Sequence, residues 1–187
     1  MRDLIVTENI TLDGVIDASA GWFSVANDVE VDQSDVVAAV REQSEAADAV
    51  VFGRVTFEAM RGYWPKQTDD TTGVTAYLNT VSKYVVSSTM SDPGWEHTTV
   101  LRGGAFPDEL QALKSKPGKD IVTTGSITLV RALIADGLVD EYRLFVYPVV
   151  LGRGERLFAG ATEVSKLRLV EARPFRSGIV LLRYRTR

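Results

Sequence analysis

The 187-residue chain is 45% apolar and 25% charged with no biased segment, the composition of a folded globular protein and a length suited to one domain, 1–187, with a full core. Lys and Arg number 21 against 25 Asp and Glu, and the net charge of -4 offers no basic field to a nucleic-acid backbone. The absence of cysteine removes disulfides, thiol nucleophiles and thiolate zinc sites and fits a cytoplasmic protein; the single histidine, His97, removes any multi-histidine metal site.

Leu4 to Leu12 alternates apolar Leu4, Val6, Ile10 and Leu12 with polar neighbours and predicts a strand running into the turn Asp13-Gly14. The loop that follows holds Val15, Ile16, Trp22 and Phe23, enough apolar surface to fold over something as a lid. Helical spacing of Val36, Val37, Val40, Ser44 and Ala47 predicts a first helix over 34–47, capped by Asp32 or Ser34. "AVVFG" reads as a strand buried on both faces, with a helix from Thr56 and a polar loop over 62–72. Next come a short helix over 74–80, strands at Tyr84–Ser87 and in "TTVLRGG", and a helix from Pro107 to Lys116. "DIVTTG" is a further strand, and the helix after it, 126–136, is ended by Gly137. A long strand over 141–150, the loop "LGRGERLFAG" and a hairpin over 166–173 and 178–185 complete the chain. The sum is a three-layer α/β/α domain with a mixed, mostly parallel sheet and a C-terminal antiparallel hairpin. No run of about eighteen apolar residues and no apolar secretion core occur, so no membrane span is expected.

Such sheets bind ligands beyond the C-terminal ends of their strands. Three junctions there combine glycine, hydroxyls and a helix start, the chemistry of a phosphate contact: Gly53-Arg54-Val55-Thr56, Ser87-Ser88-Thr89 and Thr123-Thr124-Gly125-Ser126. Arg54 adds a fixed cation with a planar donor fork. Together they suggest a dinucleotide cofactor, although neither G-x-G-x-x-G nor a Walker A loop is present. Ordinary turn and cap roles are the alternative at each junction, and a surface salt bridge is the alternative for Arg54.

Read in order, "ITLDGVI" at 10–16, "VVFGRVTFEAM" at 50–60, "YVVSST" at 84–89, "IVTTGSITLVRALIADGLVDEYRLFVYPVVLGRGERLF" at 121–158 and the closing hairpin resemble the dihydrofolate reductase-like superfamily. The segment "GLVDEYRLFVYPVVLGRGERLF" is most similar to its riboflavin-biosynthesis branch, the C-terminal domain of bifunctional deaminase-reductases and small stand-alone relatives. The resemblance implies NADPH, with Gly53, Arg54 and Thr56 at the pyrophosphate and 2′-phosphate and Ser87 and Ser88 beside the latter. It puts Gly125, Ser126 and Ile127 at a second phosphate-facing helix start, Thr124 standing where many relatives have glycine. It lays Asp13, Gly14 and Ile16 against the nicotinamide, with Trp22 farther along that loop near the substrate.

The implied activity is hydride transfer to a small heterocyclic or ribosylamine substrate, as in 5-amino-6-(5-phosphoribosylamino)uracil reductase or dihydrofolate reductase. A phosphorylated substrate needs a second anion site, for which Arg153 and Arg156 are the candidates. Folate reductases carry a carboxylate at the start of the first helix; here Asp28, Asp32 and Asp35 are nearby, and Asp32 and Asp35 stand as candidate acids or as helix caps. A nucleotide-binding regulator without turnover and a purely structural protein are the competing classes. The apolar strand containing Tyr142, Leu144, Phe145, Tyr147 and Val149 is either a homodimer surface or an interior strand.

Overall fold

The computed structural model describes residues 1–18, 21–23, 31–160 and 166–186. Eight strands form one sheet: β1 (Leu4–Thr11), β2 (Ala47–Gly53), β3 (Ser82–Val86), β4 (Thr98–Leu101), β5 (Asp120–Thr123), β6 (Glu141–Tyr147), β7 (Arg168–Pro174) and β8 (Val180–Arg185). They lie in the order β4-β3-β2-β5-β1-β6-β8-β7. The first six run parallel, and β8 and β7 add an antiparallel hairpin outside β6. The helices are α1 (Ser34–Ala46), α2 (Arg54–Tyr63), α3 (Val74–Thr80), α4 (Phe106–Lys114) and α5 (Ile127–Ala135).

The period-2 geometry of a strand sorts side chains between the two faces, and the continuous apolar runs exist because both faces are covered. Ala49 and Val51 of β2 pack with Leu110 and Leu113 of α4 and Leu129, Val130 and Leu133 of α5. Their neighbours Val50 and Phe52 pack on the opposite face with Phe57 of α2 and Leu78 of α3. Val36 and Ala39 of α1 cover Phe145, Tyr147 and Leu181 farther along the sheet.

Strand β6 is interior, hydrogen-bonded to β1 on one edge and β8 on the other, and Tyr142, Leu144, Phe145 and Tyr147 are buried in the chain's own core. The sequence alternatives for this strand therefore resolve to the interior one. The strand also ends at Tyr147 rather than Val150, and the polar stretch expected from Gly62 begins as the last turn of α2 and a short 3-10 helix, Trp64–Lys66.

Strand order places the site. Strand β5 lies between β2 and β1, and α2 leaves β2 toward one face while α5 leaves β5 toward the other. Two adjacent strands whose helices diverge open a crevice at their C-terminal ends, the usual ligand position of such sheets. Phe57, fully buried and packed on Phe52 and Trp95, anchors α2 beneath that crevice. Phe57→Ala should cost about 3–5 kcal/mol in urea unfolding, the usual range for an aromatic core truncation; a loss under about 1 kcal/mol would mean that α2 is held by other contacts.

Candidate active site

At the crevice Gly53 ends β2 and Ser126 starts α5, and the Gly53 amide donates to Ser126 Oγ at 2.8 Å. A side chain at 53 would put its Cβ 3.0 Å from Ser126 Oγ and 3.1 Å from Ser126 Cβ, so glycine allows this approach without Ser126 giving way. Gly125 and Ser126 both adopt left-handed backbone, with φ of 63° and 59°. A Cβ on Gly125 would also meet Thr56 Cγ2 at 3.2 Å. A left-handed non-glycine residue is uncommon and concentrates where function over-determines the backbone.

The serine hydroxyl, spent on Gly53, does not cap α5, and α2 likewise starts at Gly53 with no side-chain cap; neither helix has an acidic residue in its first turn. Both N-termini line one cavity of about 960 Å³, walled by Ile16, Gly53, Arg54, Thr56, Gly125, Ser126 and Ile127 among others. Two uncapped helix starts present free N–H donors and the positive ends of two dipoles to the same space, an anion site. Arg54 borders it with its side chain 45% exposed, held by Glu58 at 3.0 Å in an i,i+4 pair. Such a pair contributes only about 0.3–0.5 kcal/mol, so a phosphate can displace Glu58 at little cost.

A second cavity of about 250 Å³ adjoins the first, with Met60 and Trp64 in the walls of both. Its walls mix Phe52, Phe145 and Tyr77 with Thr7, Asn9, Gln43 and Thr124, and it includes Glu8. Glu8 is buried, and burial pushes its carboxyl up from 4.5 to about 8 against the opposing effect of the Gly125 amide, which donates to it. Glu8 Oε1, Gln43 Nε2 and Tyr77 Oη are buried polar atoms with no protein partner.

The model of the RibD C-terminal domain family matches residues 2–181. The chain belongs to that family. It is 31% identical over 188 residues to YyaP, an uncharacterised protein of Bacillus subtilis (strain 168), covering 98% of this chain and 94% of YyaP. Among solved structures it resembles a putative riboflavin biosynthesis protein from Shewanella sp. PV-4, at 20% identity and TM-score 0.70 with 99% of each chain covered. It also resembles dihydrofolate reductase from Enterococcus faecalis complexed with NADP(H), at 15% identity and TM-score 0.63, covering 98% of this chain and 96% of that one.

Within this RibD C-terminal domain, Ile16, Gly53, Arg54, Thr56, Gly125, Ser126 and Ile127 share the larger cavity. Other expected residues lie elsewhere. Asp13 braces loops: its carboxylate accepts from Thr11 Oγ1 at 2.7 Å and from the Leu151 and Gly152 amides, interactions that hold it well below the ordinary carboxylate range. Gly14, at φ 85°, accepts the Leu157 amide. The segment 13–17 is thus pinned to 151–157, Ile16 donating to Glu155, rather than being free to act as a lid. Ser87 and Ser88 do not line the cavity, which reaches Val86; the Ser87 hydroxyl is used locally by the Thr89 and Met90 amides.

Trp22 is buried against Tyr147 and Phe23 with Nε1 donating to Asp17, and borders neither cavity. Arg153 is exposed and Arg156 donates to Asp13, so neither forms a second anion site at the cavities. Asp32 and Asp35 both pair with Arg176 from the β7–β8 turn. The Ser34 amide holds Asp32, and the Arg176 amide holds Asp35, in the ionised form, the opposite of what a proton donor needs. Asp28 lies outside the described residues.

Glu8 is the residue that the sequence reading passed over, and the signal was there: it shares the parity of Leu4, Val6 and Ile10, all buried in the core. Its raised pKa has a sign. Between 4.5 and about 8 the folded state keeps a proton that the unfolded state has lost, so this group's contribution is full below 4.5, falls with rising pH and levels off above about 8. Glu8→Gln should remove that decline, leaving a variant more stable than the parent at pH 8 by an amount on the order of a few kcal/mol, with the gap closing toward pH 4.5. Urea midpoints across this range measure it; parallel curves would show that Glu8 ionises as an ordinary carboxylate.

Proposed function

We propose that this protein is an NADPH-dependent reductase that passes a hydride to a small heterocyclic substrate. The observation that carries the reading is the pair of uncapped helix N-termini, with Arg54 beside them, facing one cavity floored by glycines that no Cβ could replace without displacing Ser126 or Thr56. The site suits a dinucleotide: donors for a pyrophosphate in the first turns of α2 and α5, a weakly held cation for the 2′-phosphate, and apolar Ile16 and Ile127 in the same wall. NADPH supplies the hydride when bound; the chain's part is to align it, exclude water and provide a proton. Membership of the RibD C-terminal domain family and the dihydrofolate reductase fold support a reductase-type activity.

The substrate space is the smaller cavity, whose aromatic and apolar walls suit a flat ring and whose Thr7, Asn9, Gln43 and Thr124 suit ring substituents. No lysine or arginine is among its described lining residues, which favours an uncharged heterocycle over a phosphorylated ribosylamine. Pairing of two copies in the cytoplasm belongs to the same proposal, and the pairing needs a surface other than β6; sedimentation velocity reads it.

Trp64, in the walls of both cavities, is the natural fluorescent reporter. Titration should show saturable binding of NADPH in preference to NADH. Arg54→Ala should weaken NADPH by about tenfold to a hundredfold, the worth of one charge-assisted contact, and leave NADH nearly unchanged. Absence of binding by either dinucleotide would end the reductase reading.

A further inference from the structure

Sequence and structure disagree about Glu8 in an informative way. It sits at a core position of β1, 4% exposed, between buried Val6 and Ile10 on the same strand face. A carboxyl placed there only to support the fold would be given a cation. The adjacent strand shows how: Glu141 of β6, 2% exposed, accepts from Arg143 Nε at 2.7 Å and Arg183 Nε at 2.9 Å, and these bonds hold it ionised against the cost of its burial. Glu8 has the Gly125 amide and nothing for Oε1. An unpartnered buried carboxyl oxygen costs on the order of 1–3 kcal/mol, more if charged, and calls for an explanation outside the fold.

Its position supplies one. Glu8 borders the smaller cavity between its neighbours Thr7 and Asn9, its carboxyl lies on the other sheet face with Val6 and Ile10, and the amide that donates to it belongs to Gly125, in the wall of the larger cavity. It therefore stands where the proposed cofactor and substrate spaces meet. We propose that Glu8 is the acid of the hydride transfer. It donates its proton to the heteroatom of a C=N or C=O bond in a ring held where the two cavities meet beside Gly125, while the carbon of that bond receives the hydride of NADPH. This inference rests on the reductase reading above. The balance is complete: the substrate gains a hydride and a proton, NADPH becomes NADP⁺, and Glu8 is left a carboxylate that recovers its proton from solvent after product departs.

Burial keeps Glu8 protonated at neutral pH, up to about 8, so the acid is present before substrate arrives. Around the two cavities the other described ionisable groups are Asp17 and Arg54, with the phenols Tyr63 and Tyr77; the Gly125 amide reaches Glu8 from beyond the end of β5, and its partner on β6 is Leu144. None of these ionisable groups contributes to its shift. A positive nicotinium ring close by would lower the pKa of Glu8 and expel its proton, whereas neutral dihydronicotinamide would not.

Proton release separates the two cofactor forms without any substrate. Calorimetric titration at pH 7 in buffers of different ionisation enthalpy should show the wild-type chain releasing up to about one proton more on binding NADP⁺ than on binding NADPH. Protons displaced by the shared 2′-phosphate cancel in that difference. The ratio of NADP⁺ to NADPH affinity should rise by up to about tenfold per pH unit below about pH 8. Glu8→Gln, a neutral isostere, should bind both forms with no difference in proton release and a flat ratio; Glu8→Asp should restore part of both effects. Isotope-edited infrared spectra of the wild-type chain with ¹³C-carboxyl glutamate should show a protonated-carboxyl band that disappears with NADP⁺ and persists with NADPH, a readout that needs no variant. Equal proton release by the two forms in wild type, or a Glu8→Gln variant that keeps the difference, overturns this inference while leaving the reductase reading intact. Failure of both dinucleotides to bind brings down the reductase reading and this inference with it.

Discussion

The hydrogen bond from the Gly53 amide to Ser126 Oγ is the contact on which the site depends. It joins the ends of two neighbouring parallel strands whose helices leave toward opposite faces, and a side chain at 53 would crowd it. Ser126 reaches it by taking left-handed backbone, a conformation that costs on the order of 1–3 kcal/mol and leaves its hydroxyl unable to cap α5. The result is two helix starts side by side, each with unsatisfied N–H groups and a partial positive charge. Their mutual repulsion is tolerated at the crevice because solvent screens it, and an anion would relieve it. Strain, missing caps and the glycines are thus one arrangement seen from three residues.

Charge placement within the sheet follows a second rule. Buried carboxylates elsewhere are neutralised by arginine: Glu141 by Arg143 and Arg183, and partly exposed Glu171 by Arg173 and Arg183. These pairs sit on β6, β7 and β8, away from the crevice, and tie the antiparallel hairpin to the parallel strands. The chain therefore has the means to satisfy an acid inside its sheet. That it leaves Glu8 without a cation, beside an open cavity, separates a group kept for chemistry from groups kept for cohesion.

Much of this was legible in the chain because continuous apolar runs and helical spacing are local signals. The run Ala49–Phe52 and the glycine stop at 53 marked the end of β2, Gly125 fell two residues past the end of β5, and Gly137 marked the end of α5. Element bounds moved by a few residues where tertiary contacts decided them, as at Ser82, which pairs with Ala49 despite its polarity. The cofactor-type junctions could be read since glycine and hydroxyls beside a helix start are consecutive in sequence. What could not be read depended on distant partners. Nothing near Asp32 or Asp35 in the sequence announces Arg176, some 140 residues away, and nothing near Asp13 announces the Leu151 and Gly152 amides. Trp22 looked like part of a lid because its aromatic neighbours Tyr147 and Phe175 come from the far end of the chain. Glu8 was legible and missed, since the alternation that put Val6 and Ile10 inside applied to it equally.

The loss of Asp32 and Asp35 as acids and the choice of Glu8 are connected through the closing hairpin. Arg176 from the β7–β8 turn binds both aspartates, fastening the start of α1 to the sheet's far edge, while the Ser34 amide keeps Asp32 charged and the Arg176 amide keeps Asp35 charged. An acid at the start of α1 would have to release that anchor in each turnover. Glu8 asks for no such movement: β1 is paired along its length with β6 and, over Leu4–Val6, with β5, so its backbone is fixed by register. The same enclosure governs how its proton returns. Oε1 is shut off from bulk water, and Glu8 borders the proposed substrate space. Reprotonation then has to wait for product to leave, and the negative charge that persists until then favours the oxidised cofactor over a second NADPH, which orders product release before cofactor exchange.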